Sequence, residues 1–483
     1  MIDAGLLDPL AQEGRALDAT GDDALLAAMV ETEVAFTGAL VDTGLAPAWM
    51  TAVCEVLPAP DPVRIAELSR GGGNPVIPLV AQMSAAADAV RAGASDHLHV
   101  GATSQDVLDT AAMLVARRVC TEVLGSLTRI GEALAALADA HRATPMVGRT
   151  LGQHAAPTTF GLVLAAWLDG VTAALTAVAA VRGGLPLQYG GAVGTGEPLA
   201  RAAAARGGTA DAVLAAAGER LGLRVPAIAW HSNRAPVLAL AAALAQAVAA
   251  VAVIAVDVTQ LARTEVGEVA EERAPGAGGS SAMPHKRNPV TAVLVAATAR
   301  RAPHLLASLY ASAASEDQRP SGAWHAEWLP LRDLQRAALA ATGATVGLVR
   351  GLHPDTARMA ANLELTAGLV YSERAAGALV GSLGRSAAFR LVERASREAV
   401  AGGRPLQPVL DDLLAADAHG DAVRAAARSA FDPAAFDPAA FDTASAPSAS
   451  APSASDPGAG SAIDRVVSAF AAASLAATLP EES

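Results

Sequence analysis

Residues 276–290 read GAGGSSAMPHKRNPV and gather the residue types that proton transfer beside an anion needs. Gly276, Gly278 and Gly279 admit positive φ and let backbone approach a ligand closely. Successive N–H groups in such a loop can form a nest for an anion. Ser280 and Ser281 lie on this arm. A serine whose alkoxide is stabilised by N–H donors and a lysine can act as a base. Asn288 before Pro289 reads as an N-cap followed by proline at the first helical position. Lys286 then sits just ahead of a helix N-terminus, where an anion is already favoured. A glycine-rich connector with a capped helix behind it would use the same residue types, so both readings stay open.

Other candidates are spread along the chain. His154 and His231 could hydrogen-bond or transfer protons near neutral pH. Arg149, Arg234 and Arg319 could each hold a carboxylate bidentately. His97 and His99 lie two apart near a loop, which suits a solvated or capping pair. Thr103 or Ser104 is a natural N-cap, with Asp106 placed to favour the positive end of the following helix. There is no H-E-x-x-H and no Cys/His cluster at zinc spacing, so neither a metal nor a cofactor is expected. Cys54 and Cys120 form no C-x-x-C pair and read as packed thiols in a reducing compartment.

Long helices must position these groups. The chain has 483 residues, 52% hydrophobic but only 3% aromatic, and much of the apolar content is alanine. That balance favours closely packed helices over sheets and predicts an all-α protein. Helical patterning covers residues 22–45, about forty residues from Thr103, residues 159–182, a long run from Ala235, and residues after Pro289 to about Tyr310. Three domains are expected: 1–102, 103–352 and 353–483. Residues 442–460, rich in Ser, Ala, Pro and Gly, read as a flexible insertion.

Composition also excludes classes. A formal net charge of −13 argues against nucleic acid. Residues 235–256 carry no charge, but alanine dominates, Gln246 sits mid-run and no basic cluster flanks the run. It reads as a buried core helix rather than a membrane span. The acidic N-terminus lacks the n- and h-regions of a secretory signal, so a cytoplasmic location is expected.

The loop also carries a resemblance. GGSSAMPHKRNP is similar to the G-S-S-x-M-P-x-K-x-N-P motif of the fumarase/aspartase superfamily. The resemblance implies elimination or addition next to a carboxylate, and homotetramers whose long helices form a twenty-helix core with composite active sites. It implies Ser280 as catalytic base, with Lys286 beside it and Ser281, Met283 and Asn288 as substrate contacts. HVGATSQDVLDTA (residues 99–111) resembles the first family region, which implies that Thr103 and Ser104 bind a carboxylate, with His99 just before them. GRTLGQHAAPTTFG (148–161) resembles the second, implying Arg149, Thr150 and Gln153 as substrate contacts and His154 as a proton-transfer partner. Leu151 stands where fumarase-like and adenylosuccinate-lyase-like members read histidine.

EDQRPSGAWHAEWLPLRDL, AIAWHSNRAP and LPLQYGGAVGT look like the bacterial 3-carboxy-cis,cis-muconate cycloisomerases, which also lack that histidine. This places His231, Arg234 and Arg319 among the implied substrate contacts. The implied activity is lactonisation of a small tricarboxylate. The alternatives are another superfamily lyase, such as adenylosuccinate or argininosuccinate lyase, and a structural tetramer without activity.

Overall fold

A computed structural model describes residues 6–272, 283, 286–417, 419–432 and 461–478. The N-terminal region holds α1 (Ala16–Thr20), α2 (Asp22–Asp42), α3 (Met50–Glu55), α4 (Pro62–Gly72) and α5 (Val76–Val90). Next come α6 (Ser104–Ala140), a hairpin of β1 (Pro145–Thr150) and β2 (Gln153–Thr159), then α7 (Phe160–Gly183), α8 (Glu197–Ala204), α9 (Ala210–Leu221) and α10 (Ala235–Leu261). β3 (Val269–Glu271), α11 (Val290–Ser312), α12 (Ala323–Arg350) and β4 (Leu352–Pro354) follow. The last part holds α13 (Thr356–Glu364), α14 (Ser372–Leu383), α15 (Arg385–Gly402), α16 (Leu406–Ala416), α17 (Asp421–Ser429) and α18 (Ala462–Thr478). The protein is mostly helical, as the alanine-rich pattern predicts. The strands are two short antiparallel pairs, β1 with β2 and β3 with β4.

Five long helices, α6, α7, α10, α11 and α12, pack side by side and alternate in direction. α6 starts where the sequence places it. Thr103 is extended, and its N–H donates to Asp106 Oδ2 at 2.9 Å. α10 buries Leu240, Leu244, Val251, Ile254 and Val258 along one stripe while Val253 and Val256 stay exposed. By length and composition alone α2, α7 and α10 could cross a membrane; about half of each apolar window is buried within the chain.

One expectation changes. Asn288 does not cap α11: Val290 is the first helical residue and no side chain of the preceding residue caps it. Glu271 fills that role, accepting from the N–H of Thr291 at 3.1 Å and of Ala292 at 2.8 Å. Positive backbone there is thus met by the chain's own carboxylate. Residues of α14 to α17 form their own core, whereas Ile463 and Phe470 of α18 join the main bundle core. The proposed insertion at 442–460 lies outside the described residues.

Candidate active site

The candidate residues fall at two ends of the bundle. At the first end, α6 presents its N-terminus with Thr103 as N-cap and Ser104 as its first residue. Arg319, from the segment before α12, donates from Nη2 to Thr103 Oγ1 at 2.8 Å and from Nε to Gln105 Oε1 at 3.3 Å. His99 precedes the turn with φ +55, and Gly101 follows with φ +73, where a Cβ would lie 2.8 Å from the Leu199 nitrogen. That close approach requires glycine. His99 Nδ1 lies 2.6 Å from Glu33 Oε1, and the Glu33 side chain is 1% exposed. Burial pushes the His99 imidazole toward neutrality, but the Glu33 bond and charge, with Asp106 behind, raise its pKa on balance. The α6 N-terminus, the His99 imidazole and the Arg319 guanidinium thus lie around one turn, which suits a carboxylate.

Asp106 organises this end. Its carboxylate accepts from the N–H of Gly190 and Gly191, each at 2.8 Å, and lies 2.7 Å from His231 Nε2. The Gly190–Gly191 backbone thus cradles the chain's own carboxylate. His231 is 3% exposed, so it braces Asp106 and does not reach a ligand in this arrangement. Arg234 is likewise bound within the chain. It is buried, and its guanidinium donates to Asp109 at 2.8 and 3.1 Å and to Glu327 through Nε and Nη2. Its Nη1 also reaches the carbonyls of Trp230 and His231. Its donors are committed inside the chain, so it positions the site rather than gripping a substrate.

The second end carries the hairpin and the approach to α11. Arg149 Nη1 and Nη2 donate to the two Glu268 oxygens at 2.8 and 2.7 Å, and Asn362 Nδ2 donates to Glu268 Oε1 at 2.7 Å. Arg149, expected at a substrate carboxylate, is instead paired bidentately with a fully buried glutamate. His154 faces Arg149 across the hairpin and is half-buried. Burial and the Arg149 charge lower its pKa against the opposing pull of Glu268, which leaves a neutral imidazole able to take a proton. Thr150 and Gln153 are exposed at the hairpin end, around a turn of Leu151 and Gly152. Met283, Lys286 and Asn288 lead to α11 at this same end, beside Glu271; Ser280 and Ser281 lie outside the described residues.

The two ends cannot meet within one chain. α6 alone has 37 residues, which at 1.5 Å per residue separates Thr103 from the hairpin by roughly 55 Å. The structure thus sets His99, Thr103, Ser104 and Arg319 at one end of the bundle, and Arg149, Thr150, Gln153, His154, Lys286 and Asn288 at the other.

A family profile described as Lyase matches residues 75–303. Nitrosuccinate lyase of Streptomyces davaonensis is 44% identical over 85% of this chain and 87% of its own length. The chain belongs to the fumarase/aspartase superfamily. A 3-carboxy-cis,cis-muconate cycloisomerase of Pseudomonas aeruginosa is 39% identical over 83% of this chain and 87% of that one. Among solved structures, the 3-carboxy-cis,cis-muconate lactonizing enzyme from Pseudomonas putida superposes with a TM-score of 0.84 at 32% identity, covering 97% of this chain and 99% of that one.

For this superfamily lyase, sequence reasoning missed the acidic residues that hold the site: Glu33, Asp109, Glu268 and Glu271. Each is a carboxylate inside or beside an apolar run, a pattern that signals a buried partner. Asp106 was noted only for its place near the dipole. Among the described residues, no group of three or more His, Cys, Asp or Glu could hold a metal ion.

Proposed function

We propose that this lyase interconverts 3-carboxy-cis,cis-muconate and its carboxymuconolactone. The observation that carries the reading is the near-complete correspondence with the lactonizing enzyme from P. putida, 97% of one chain against 99% of the other. Leu151 at the hairpin tip agrees with it, since a histidine there would favour other lyases.

The chemistry suits the two ends. The substrate has three carboxylates, so cations and N–H donors must hold it. His99, Arg319 and the α6 N-terminus supply these at one end. One substrate carboxylate adds to a ring-forming carbon, and holding the reacting groups together lowers that barrier. A proton is then delivered to the carbon beside another carboxylate; in reverse it is removed and a dianion develops. Ser280 is the proposed proton-transfer group, Lys286 and Asn288 stabilise the developing charge, and His154 is its proposed relay. Because the ends lie far apart on one chain, the site is completed by other copies. Five long helices per chain and exposed Val253, Val256 and Val293 support a homotetramer with a twenty-helix core. We place this enzyme in the cytoplasm.

The 44% identity to nitrosuccinate lyase favours a second reading, elimination of a nitro group as nitrite beside a carboxylate. The two are separated by offering purified protein each compound. The first reading expects loss of the conjugated-diene ultraviolet absorbance with 3-carboxy-cis,cis-muconate and no nitrite from nitrosuccinate. Nitrite release with an inert muconate would replace it. Ser280→Ala retaining near-full turnover would remove the serine from the mechanism.

A further inference from the structure

A cavity of about 230 Å³ lies between the N-terminal helices and the bundle, where α1, α2 and Pro75 meet α6, α10 and α12. Its walls are largely apolar, with Leu25, Leu108, Met113, Val237 and Leu331 among them. Three buried nitrogen atoms of its lining, Trp328 Nε1, Arg332 Nε and Gln335 Nε2, have no hydrogen-bond partner among the described residues. Gln335 is 4% exposed, so its amide has no access to bulk water. A buried donor left unmade pays its desolvation with nothing in return. Three such donors on one cavity mark a place for an acceptor that the described residues do not supply.

Size and charge narrow the occupant. A cavity near 150 Å³ holds benzene, so this one accommodates a single ring with one polar substituent. The wall also includes Asp109 and Glu327, which share the Arg234 guanidinium, while Arg332 Nη1 is bound to Asp22 at 2.9 Å. Asp109 and Glu327 already take up the Arg234 guanidinium and Asp22 takes up Arg332, so no cation of the wall is left without a carboxylate partner. A further anion is therefore disfavoured, and the acceptor must be uncharged. Exposed Asp22 and Leu329 on the rim give a route in. Thr103, Ser104 and Arg319 do not line the cavity, so it is separate from the carboxylate-binding end.

We propose that this cavity is an accessory binding site for a small, uncharged, single-ring molecule carrying a carbonyl oxygen, which the Gln335 amide, the Trp328 indole and Arg332 Nε would bind. The proposal does not depend on which reaction the lyase performs.

Benzamide is the probe. Saturation-transfer NMR on the full-length protein, with a crystal structure from a benzamide soak, should place its carbonyl within hydrogen-bond distance of Gln335 Nε2 or Trp328 Nε1. Gln335→Leu should weaken binding about tenfold, and Trp328→Phe should do likewise if the first variant does not fold. Benzoate, with the same shape and a negative charge, should bind about tenfold more weakly. Equal binding of benzoate, binding unaffected in a folded Gln335→Leu or Trp328→Phe protein, or a soaked cavity holding only ordered water would overturn the proposal.

Discussion

His99 Nδ1 and Glu33 Oε1 lie 2.6 Å apart, one side chain at the mouth of the α6 N-terminus and the other buried beneath it. This pairing makes pH a direct probe of the first end. Because the folded pKa of His99 is raised, its protonated form stabilises the fold fully below the unfolded value, about 6.5. That contribution is lost as pH rises through the higher folded value. Substrate binding should weaken over the same window, seen as a rise in KM with little change in kcat. Glu33→Gln should move the onset to lower pH, and NMR titration of His99 would follow it directly. KM profiles that coincide for the two proteins would show that the pair has no part in binding.

Arg234 joins Asp109 and Glu327 in a buried triad. Arg234→Leu would leave two carboxylates without their cation. Breaking a buried pair from one side typically costs 3–5 kcal/mol, so a loss on the order of 3 kcal/mol or more is expected in denaturant unfolding. The triple change Arg234→Leu, Asp109→Asn, Glu327→Gln should recover part of that loss, because no uncompensated charge remains. A single variant as stable as the parent would contradict the buried arrangement.

Leu151 has φ +52 at the tip of a two-residue hairpin turn, followed by Gly152 at φ +78. Both positive values fit the mirror-image turn in which Asn-Gly is preferred. Leucine in the left-handed region costs about 1–2 kcal/mol, and this one is fully exposed in the single chain. Leu151→Asn should therefore stabilise the isolated fold by about 1 kcal/mol. If substrate turnover falls while melting temperature rises, the leucine is retained for a contact made in the assembly. A lower melting temperature would show that the tip is not strained.

These three sites show how unevenly the sequence carried its information. Helix identity was legible because alanine-rich text with a 3.6-residue rhythm leaves little competition, and α6 starts at the predicted Thr103 with Asp106 in place. The cap of α11 was not, because Glu271 acts from a strand that the local pattern around Asn288 does not contain. Arg149 and Arg234 looked free to bind carboxylates, since nothing nearby in sequence names Glu268 or Glu327 as partners. The motifs named the residues around the site, but the separation of its two ends follows only from the length and direction of α6.

Gly131 on α6 shows the same long-range dependence and yields the last test. A Cβ built there would lie 2.0 Å from Cε2 of Phe470, which α18 inserts into the bundle core. Arg142 anchors the start of α18 through Ser461 Oγ at 2.9 Å and through Asp464. On helix propensity alone Gly131→Ala would gain up to about 1 kcal/mol. The ring has a packed neighbourhood and little room to turn, so overpacking of roughly 1–3 kcal/mol should win. The variant should melt at lower temperature, and hydrogen exchange should accelerate across 462–478 before the rest of the bundle. Adding Phe470→Leu should restore protection of that helix, because the smaller side chain removes the collision. Unchanged exchange in Gly131→Ala would mean that α18 does not depend on this contact for its seat on the bundle.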